Sequence, residues 1–188
     1  MSEAHVAWLE PGDADDDATI ARVVNVVNVA YLIAEAKLWS KAIARTDAGD
    51  VRAAIEAGQI GVARLGGRIV GAIRARALTE DLWWFGALGV DPSNGGGGIG
   101  ASLVAAAERR ASDGGAEAMQ LELLFPEPPL PHFERLARWY DRLGYRETGR
   151  IPLAEKFPAD APFLTRDCNV IELRRDLDAT VEIIRPAP

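Results

Sequence analysis

The sequence predicts an α/β (α+β) layered domain whose sheet starts antiparallel and carries a parallel βαβ step in its middle. Three observations carry this. The hydrophobic period changes along the chain from helical to strand-like and back. Two β-rich runs flank Gly66-Gly67, a hairpin signal. An apolar strand then runs into a glycine cluster, an alanine-rich helix and another strand, the order of a parallel crossover.

The elements follow in order. HVAWLEPG reads as a short strand ending in a turn at Pro11-Gly12. Asp15 to Asp17 give an acidic helix start, and Ile20, Val23, Val24, Val27 and Tyr31 follow at helical spacing. Val51 to Ala57 is a second short helix, stopped by Gly58. QIGVARL and RIVGAIRARA are the hairpin strands, and DLWWFGALGV is a third strand. A helix from about Gly100 to Ala111 places Ile99, Leu103 and Ala107 on one side and ends at Gly114-Gly115. AMQLELLF is the next strand, PEPPLP a rigid loop, and Arg135 to Leu143 a helix closed by Gly144. YRETGRI and NVIELRRDL are the final strands. Leu153 to Leu164, with its prolines, reads as surface loop. No internal repeat is found. Residues 1–188 read as one domain, with 178–188 an extra strand or a tail.

Composition narrows the function. Hydrophobic residues make up 48% of the chain, which fits a packed core rather than disorder. No apolar run approaches the ~20 residues of a membrane span. The start, MSEAHVAWLEPGDADDD, lacks the basic region of a secretory signal. With a single cysteine, Cys168, these features predict a cytoplasmic protein with no membrane partner. The net charge of −7 and the lack of a Lys/Arg cluster argue against nucleic acid. Two histidines and one cysteine, widely spaced, give no metal-ligand pattern.

The most informative stretch is VDPSNGGGGIGASLVAAAE, Val90 to Glu108. It is no linker, because it joins a strand directly to a helix. Glycines let an anion approach a helix N-terminus, whose free N–H groups and partial positive charge suit a phosphate. The Gly-Lys-Ser/Thr ending of a nucleotide-triphosphate loop is absent. Gly96, Gly98 and Ala101 fit the dinucleotide pattern G-x-G-x-x-G/A, with Glu122 downstream. Asp91 to Asn94, however, separate the strand from the glycines, where a dinucleotide loop turns tightly.

LGVDPSNGGGGIGASLV resembles the pyrophosphate-binding motif of the GNAT superfamily of N-acetyltransferases. RLARWYDRLGYRETGR, Arg135 to Arg150, is similar to the late helix and following strand of that family. With the N-terminal helices and hairpin, the resemblance covers about residues 4 to 177. It implies a mixed, mostly antiparallel sheet of six to seven strands flanked by about four helices. It also implies acetyl-CoA as cosubstrate, bound by Gly95, Gly96, Gly97, Gly98, Ile99, Gly100 and Ala101, with the backbone near Leu88 and Val90 facing acetyl and pantetheine. The family's usual Arg/Gln position is Gly95 here and its next often-basic position is Gly97. Main-chain N–H groups must therefore do the binding, helped by Arg109, Arg110 or another arginine. Phe133 stands where many members carry an asparagine.

The implied reaction is acetyl transfer to a small-molecule primary amine, a small amine or an amino-acid-like acceptor, by direct attack in a ternary complex; protein N-termini and lysines are not excluded as acceptors. The resemblance places Tyr140 as the acid that protonates the leaving thiolate; its ordinary pKa of about 10 makes that transfer feasible. Helical spacing of Leu136, Trp139, Tyr140 and Leu143 equally allows Tyr140 a core position. Tyr145 reads as a packing aromatic. The candidates for the base are Glu35, Glu80, Asp81, Glu122 and His132, the last read as a surface or cap residue. Glu35, Trp39, Asp81, Trp83 and Glu122 are the candidate acceptor contacts, because aromatics beside acids suit a cationic amine. One of Trp83 and Trp84 is expected to point into the core. Two other readings stay open: a non-catalytic acyl-CoA-binding module, and a dinucleotide-dependent oxidoreductase. A homodimer is compatible with all three.

Overall fold

The computed structural model of the protein describes residues 4–177; the extra strand or tail expected at 178–188 lies outside them. Seven strands form one sheet: β1 (His5–Trp8), β2 (Ile60–Leu65), β3 (Arg68–Ala77), β4 (Leu82–Val90), β5 (Ala118–Pro126), β6 (Arg146–Pro152) and β7 (Cys168–Asp176). Their spatial order is β1-β2-β3-β4-β5-β7-β6. Every neighbouring pair is antiparallel except β4 and β5. This is the mixed sheet with one parallel step that the sequence predicts. The last strand slots between β5 and β6, so the final hairpin folds back onto the crossover.

Helices cover both faces. α1 (Asp17–Ala34) and α2 (Ala48–Glu56) pack on one, burying Ile20, Val23, Val27, Val51 and Ile55 with Ile60, Val62 and Ala72 of the sheet. Asp16 caps α1 by accepting from the Ala18 N–H at 3.0 Å, and Asp47 caps α2 by accepting from the Asp50 N–H at 2.9 Å. α3 (Ile99–Asp113) and α4 (Pro131–Arg142) cover the other face, where Leu103, Ala107, Phe133 and Tyr140 join Ile73, Phe85 and Leu121. Gly89 lets α1 lie directly on β4. A Cβ there would stand 2.9 Å from the Val27 Cα.

Several expectations need correction. α4 begins four residues earlier than its apolar spacing suggests, because Pro131 takes the first helical turn, where its missing N–H costs nothing. His132 therefore sits in a helix. The Leu153–Leu164 stretch is not all surface loop. It contains a one-turn helix, α5 (Leu153–Lys156), whose Leu153 is buried, which makes five α-helices among the described residues. α1, at 18 residues and a mean hydropathy of 1.3, is long and apolar enough by those measures to cross a membrane. In this fold it lies on the sheet through Ile20, Val23, Val26 and Val27.

Candidate active site

β4 and β5 are paired only at Leu82–Ala118, Trp83–Met119 and Trp84–Gln120. Beyond these residues β4 continues to Val90 hydrogen-bonded to β3, and β5 continues to Pro126 hydrogen-bonded to β7. The two strands part, and the edge of β4 facing the gap has no strand partner. A bulge accompanies the split. The β3–β4 register shifts between Ala72 and Arg74, and Ala87 adopts φ +48°. A non-glycine residue in the left-handed region costs roughly 1–3 kcal/mol and marks a site held by its surroundings.

The gap opens into a cavity of about 770 Å³, a size usual for ligand sites. Leu88, Val90, Gly96 and Gly100 line it, as do Glu35, Glu122, His132 and Tyr140. The structure thus brings together the expected backbone positions, part of the glycine segment and the residue expected to act as acid.

The glycine segment is built for close approach. Asp91 opens it, accepting from the Ser93 N–H at 3.1 Å and the Ser93 hydroxyl at 2.6 Å. Gly96 and Gly98 take φ +81° and +77°, and no atom lies within 4 Å of where their Cβ atoms would be. The backbone here is bare, and α3 begins one residue later with Gly98 as its N-cap. A negatively charged group fits that setting. Gly95, Gly97, Gly98, Ile99 and Ala101 belong to the same turn, but they are not on the cavity wall, and Ile99 is buried against the sheet. Neither Arg109 nor Arg110 reaches the loop. Both sit near the far end of α3, about 15 Å away by helix rise, and Arg110 stacks on Trp8 at 4.4 Å. The arginine that does serve the segment is Arg22 of α1. It pairs with Asp91 at 2.6 Å, across 69 residues of sequence. No local motif signals it.

Tyr140 is buried, with its ring 6.1 Å from Phe85, yet it lines the cavity. Its hydroxyl has no hydrogen-bond partner among the described residues. Burial pushes its pKa far above the usual phenol value, which corrects the expectation of an unshifted acid. Tyr145, by contrast, is spent on structure. Its hydroxyl donates to Glu108 at 2.7 Å, and Arg175 holds the same carboxylate at 3.0 Å.

The acceptor candidates divide. Glu35 is buried beside the cavity, accepting from Trp39 Nε1 at 2.7 Å and ion-paired with Arg45. Trp39 itself lines a separate, smaller pocket of about 260 Å³. The loop bearing it is pinned by the Ser40 N–H donating to the Phe163 carbonyl at 2.7 Å and the Thr165 N–H to the Leu38 carbonyl at 2.9 Å. Glu122 lines the cavity but is held by Lys156 at 2.6 Å. Glu80 and Asp81 lie at the opposite end of β4 from the glycines, where the Asp81 carbonyl accepts from the Glu117 and Ala118 N–H groups. Strand alternation sends Trp83 toward Gly114 and the core, while Trp84 lines the cavity in its place. His132, expected at the surface, is on the cavity wall. Burial, then the positive charge of Arg135, lowers its pKa, with Glu35 opposing, so the imidazole is neutral at pH 7. Burial raises the Cys168 thiol to about 11. Among the described residues no group of three His, Cys, Asp or Glu is placed to hold a metal ion.

A family model described as an acetyltransferase (GNAT) domain matches residues 56–147. No curated protein matches the chain in sequence. Solved structures match it in fold. The Drosophila melanogaster polyamine N-acetyltransferase, which forms N-acetylagmatine, is 15% identical over 93% of this chain and 100% of its own, with a TM-score of 0.66. An aminoglycoside 6′-N-acetyltransferase complexed with coenzyme A is 15% identical over 98% and 99%, with a TM-score of 0.69. A Salmonella typhimurium protein assigned to the acetyltransferases, solved with its cofactor acetyl-CoA, is 16% identical over 100% and 98%, with a TM-score of 0.65. At such identities the likeness is one of fold. A parallel doubly wound dinucleotide fold is not among these features, since the one parallel pair here spans three residues before it splits.

Proposed function

We propose, from the match of residues 56–147 to a model of the acetyltransferase (GNAT) domain, that the chain is an N-acetyltransferase of that family, transferring acetyl from acetyl-CoA to a small-molecule primary amine. The observation that carries this reading is the splay of β4 from β5. It puts free main-chain groups, a bare glycine turn and Tyr140 on one cavity.

Gly96 and Gly98 fit a diphosphate because the space at their Cβ positions is open just before a helix start, and Gly100 follows in the first turn of that helix on the cavity wall. The freed edge of β4 at Leu88 and Val90 fits the pantetheine arm and the acetyl oxygen, where fixed N–H donors lower the cost of developing negative charge. Acetyl-CoA supplies an activated acetyl group and a thiolate leaving group.

Direct attack in a ternary complex is favoured over an acetylated enzyme. The chain's one cysteine is buried and its thiol stays protonated, so it is a poor nucleophile. The acceptor nitrogen forms a bond to the acetyl carbon as the carbon–sulfur bond breaks. The nitrogen must lose a proton. Glu35 and Glu122 each already hold a cation, whereas His132 is neutral and free of any ion pair among the described residues. His132 and Tyr140 are eight residues apart on α4, about 12 Å along its axis, so the proton reaches His132 through cavity water. Tyr140, with its raised pKa, does not hand a whole proton to a thiolate whose ordinary pKa is near 8.5. It donates a hydrogen bond that stabilises the departing sulfur.

Thermal melts with acetyl-CoA, CoA, NADH and NADPH, followed by an amine panel read by thiol release, test this. CoA species should raise the melting temperature, and thiol release should require an amine. Stabilisation by nicotinamide cofactors alone, or binding of acetyl-CoA with no amine-dependent release, would remove it.

A further inference from the structure

The cavity has an acceptor end, and its charges are balanced rather than acidic. Three carboxylates line the wall, at Glu35, Asp50 and Glu122. Arg45 pairs with the first and Lys156 with the last, while the cationic Arg74 lines the same wall as Asp50. A multiply charged cation gains little from such a wall, because two of its three acids are already paired and a further cation lines it.

Two unused groups stand side by side here. Arg45 binds Glu35 through Nη2 and stacks near Tyr31 and Trp39, at 5.2 and 5.6 Å. Its Nε is buried without a partner, and Nη1 has none among the described hydrogen bonds. Both bonds to Glu35, from Trp39 and from Arg45, go to Oε2. Oε1 is left over. Unmade bonds on a largely desolvated guanidinium and carboxylate are costly unless something fills them. The aromatic rings and the ion pair fix the guanidinium before any ligand arrives, which reduces the cost of binding.

We propose that this pair recognises a zwitterion: the acceptor is an α-amino acid, its carboxylate bound by Arg45 and its amino group presented from Glu35 Oε1. The adjacent positive and negative groups of the protein match the adjacent negative and positive groups of the ligand. This rests on the acetyl-transfer reading above and narrows it. It selects the amino-acid-like acceptor from the range the sequence leaves open.

The test is an acceptor panel with acetyl-CoA, read by thiol release. It sets the common L-amino acids against their methyl esters, their amides, spermidine and kanamycin. At least one free amino acid should exceed its own ester in kcat/KM by tenfold or more. The Glu35→Gln/Arg45→Gln double variant removes the pair together and so leaves no orphaned charge. Its fold is checked by its melting temperature, and its CoA affinity should stay within about twofold. Its KM for the amino acid should rise at least tenfold, and by more than KM for the ester, which loses only the Glu35 contact to its amino group. Turnover of esters or polyamines at rates equal to the amino acids, or an unchanged amino-acid KM in a folded double variant, overturns the zwitterion site and leaves acetyl transfer standing. No amine-dependent thiol release from any member of the panel overturns both.

Discussion

Arg22 of α1 and Asp91 at the end of β4 are joined at 2.6 Å, and the same guanidinium donates through Nε to the Ile69 carbonyl at 2.7 Å. One side chain thus ties the first helix, the third strand and the entrance of the glycine turn. Asp91 is held well below the usual carboxylate range, to about 2, first by the Ser93 hydroxyl and then by Arg22. The sign is that of a depressed acid. Its contribution is complete above the unfolded pKa near 4 and is lost as pH falls toward 2. The stability difference between the native chain and Asp91→Asn should therefore be constant above about pH 4 and shrink below it. Because the pair is partly exposed, its loss should cost only about 1 kcal/mol. The KM for acetyl-CoA should rise severalfold, since the turn loses its anchor. Equilibrium denaturation at pH 7 and pH 3 checks the first point, and a difference that persists undiminished at low pH would refute it.

The four consecutive glycines are not equivalent. Gly96→Ala and Gly98→Ala place a side chain in the left-handed region, at a cost of roughly 1–2 kcal/mol each. Gly97→Ala has no positive φ to contend with and meets only the Asn94 carbonyl at 3.8 Å, so its stability should stay within about 0.5 kcal/mol of the parent. Urea titrations of the three variants should separate two from one. The new methyls of the first two also stand in open space over the turn, so CoA affinity should fall with them. Equal stability across all three would mean that the turn is not held in this conformation.

Legibility in the sequence followed locality. The hairpin at Gly66-Gly67, the crossover after β4 and the helix of Tyr140 are written in period and punctuation, and the structure has them. The glycine turn was legible because only close backbone approach explains so many residues without side chains. What escaped depends on pairs distant in sequence. Arg22 and Asp91 are 69 residues apart, and neither carries a local signature. Trp83 and Trp84 were ambiguous because a pleat gives two faces without saying which one meets solvent. His132 was misplaced because Pro131 was read as ending a loop when it begins a helix. Arg45 falls outside every periodic segment, and its meaning arises from Glu35 and the two rings around it.

Tyr140→Phe isolates one hydroxyl. The ring packs against Phe85 and stays, so stability and CoA affinity should change little. If the hydroxyl serves the leaving sulfur, kcat should fall about 10- to 100-fold with KM for acetyl-CoA nearly constant, the pattern of an interaction made chiefly in the transition state. The burial that raises this phenol also predicts that no alkaline limb from Tyr140 appears up to pH 10. Steady-state kinetics of both proteins between pH 6 and 10 decide it. A variant with unchanged kcat would return Tyr140 to the core.

His132 gives the last test its direction. As the proposed base it works only as neutral imidazole, and its pKa is lowered by burial and by Arg135, against the opposing pull of Glu35. The neutral fraction is therefore already high at pH 7 and falls only on the acid side. At saturating acetyl-CoA, kcat/KM for the acceptor should climb with pH along a limb centred below 6.5 and then level off. Arg135→Ala removes a neighbouring positive charge, so it should move that limb to higher pH while leaving the plateau in place. His132→Asn should lower the plateau by roughly 10²-fold and abolish the limb. Arg135 lies on the exposed side of α4, so its replacement should not disturb the fold. An acid limb that survives in His132→Asn at its original position would assign the proton to another group, with Glu122, freed from Lys156, the next to test.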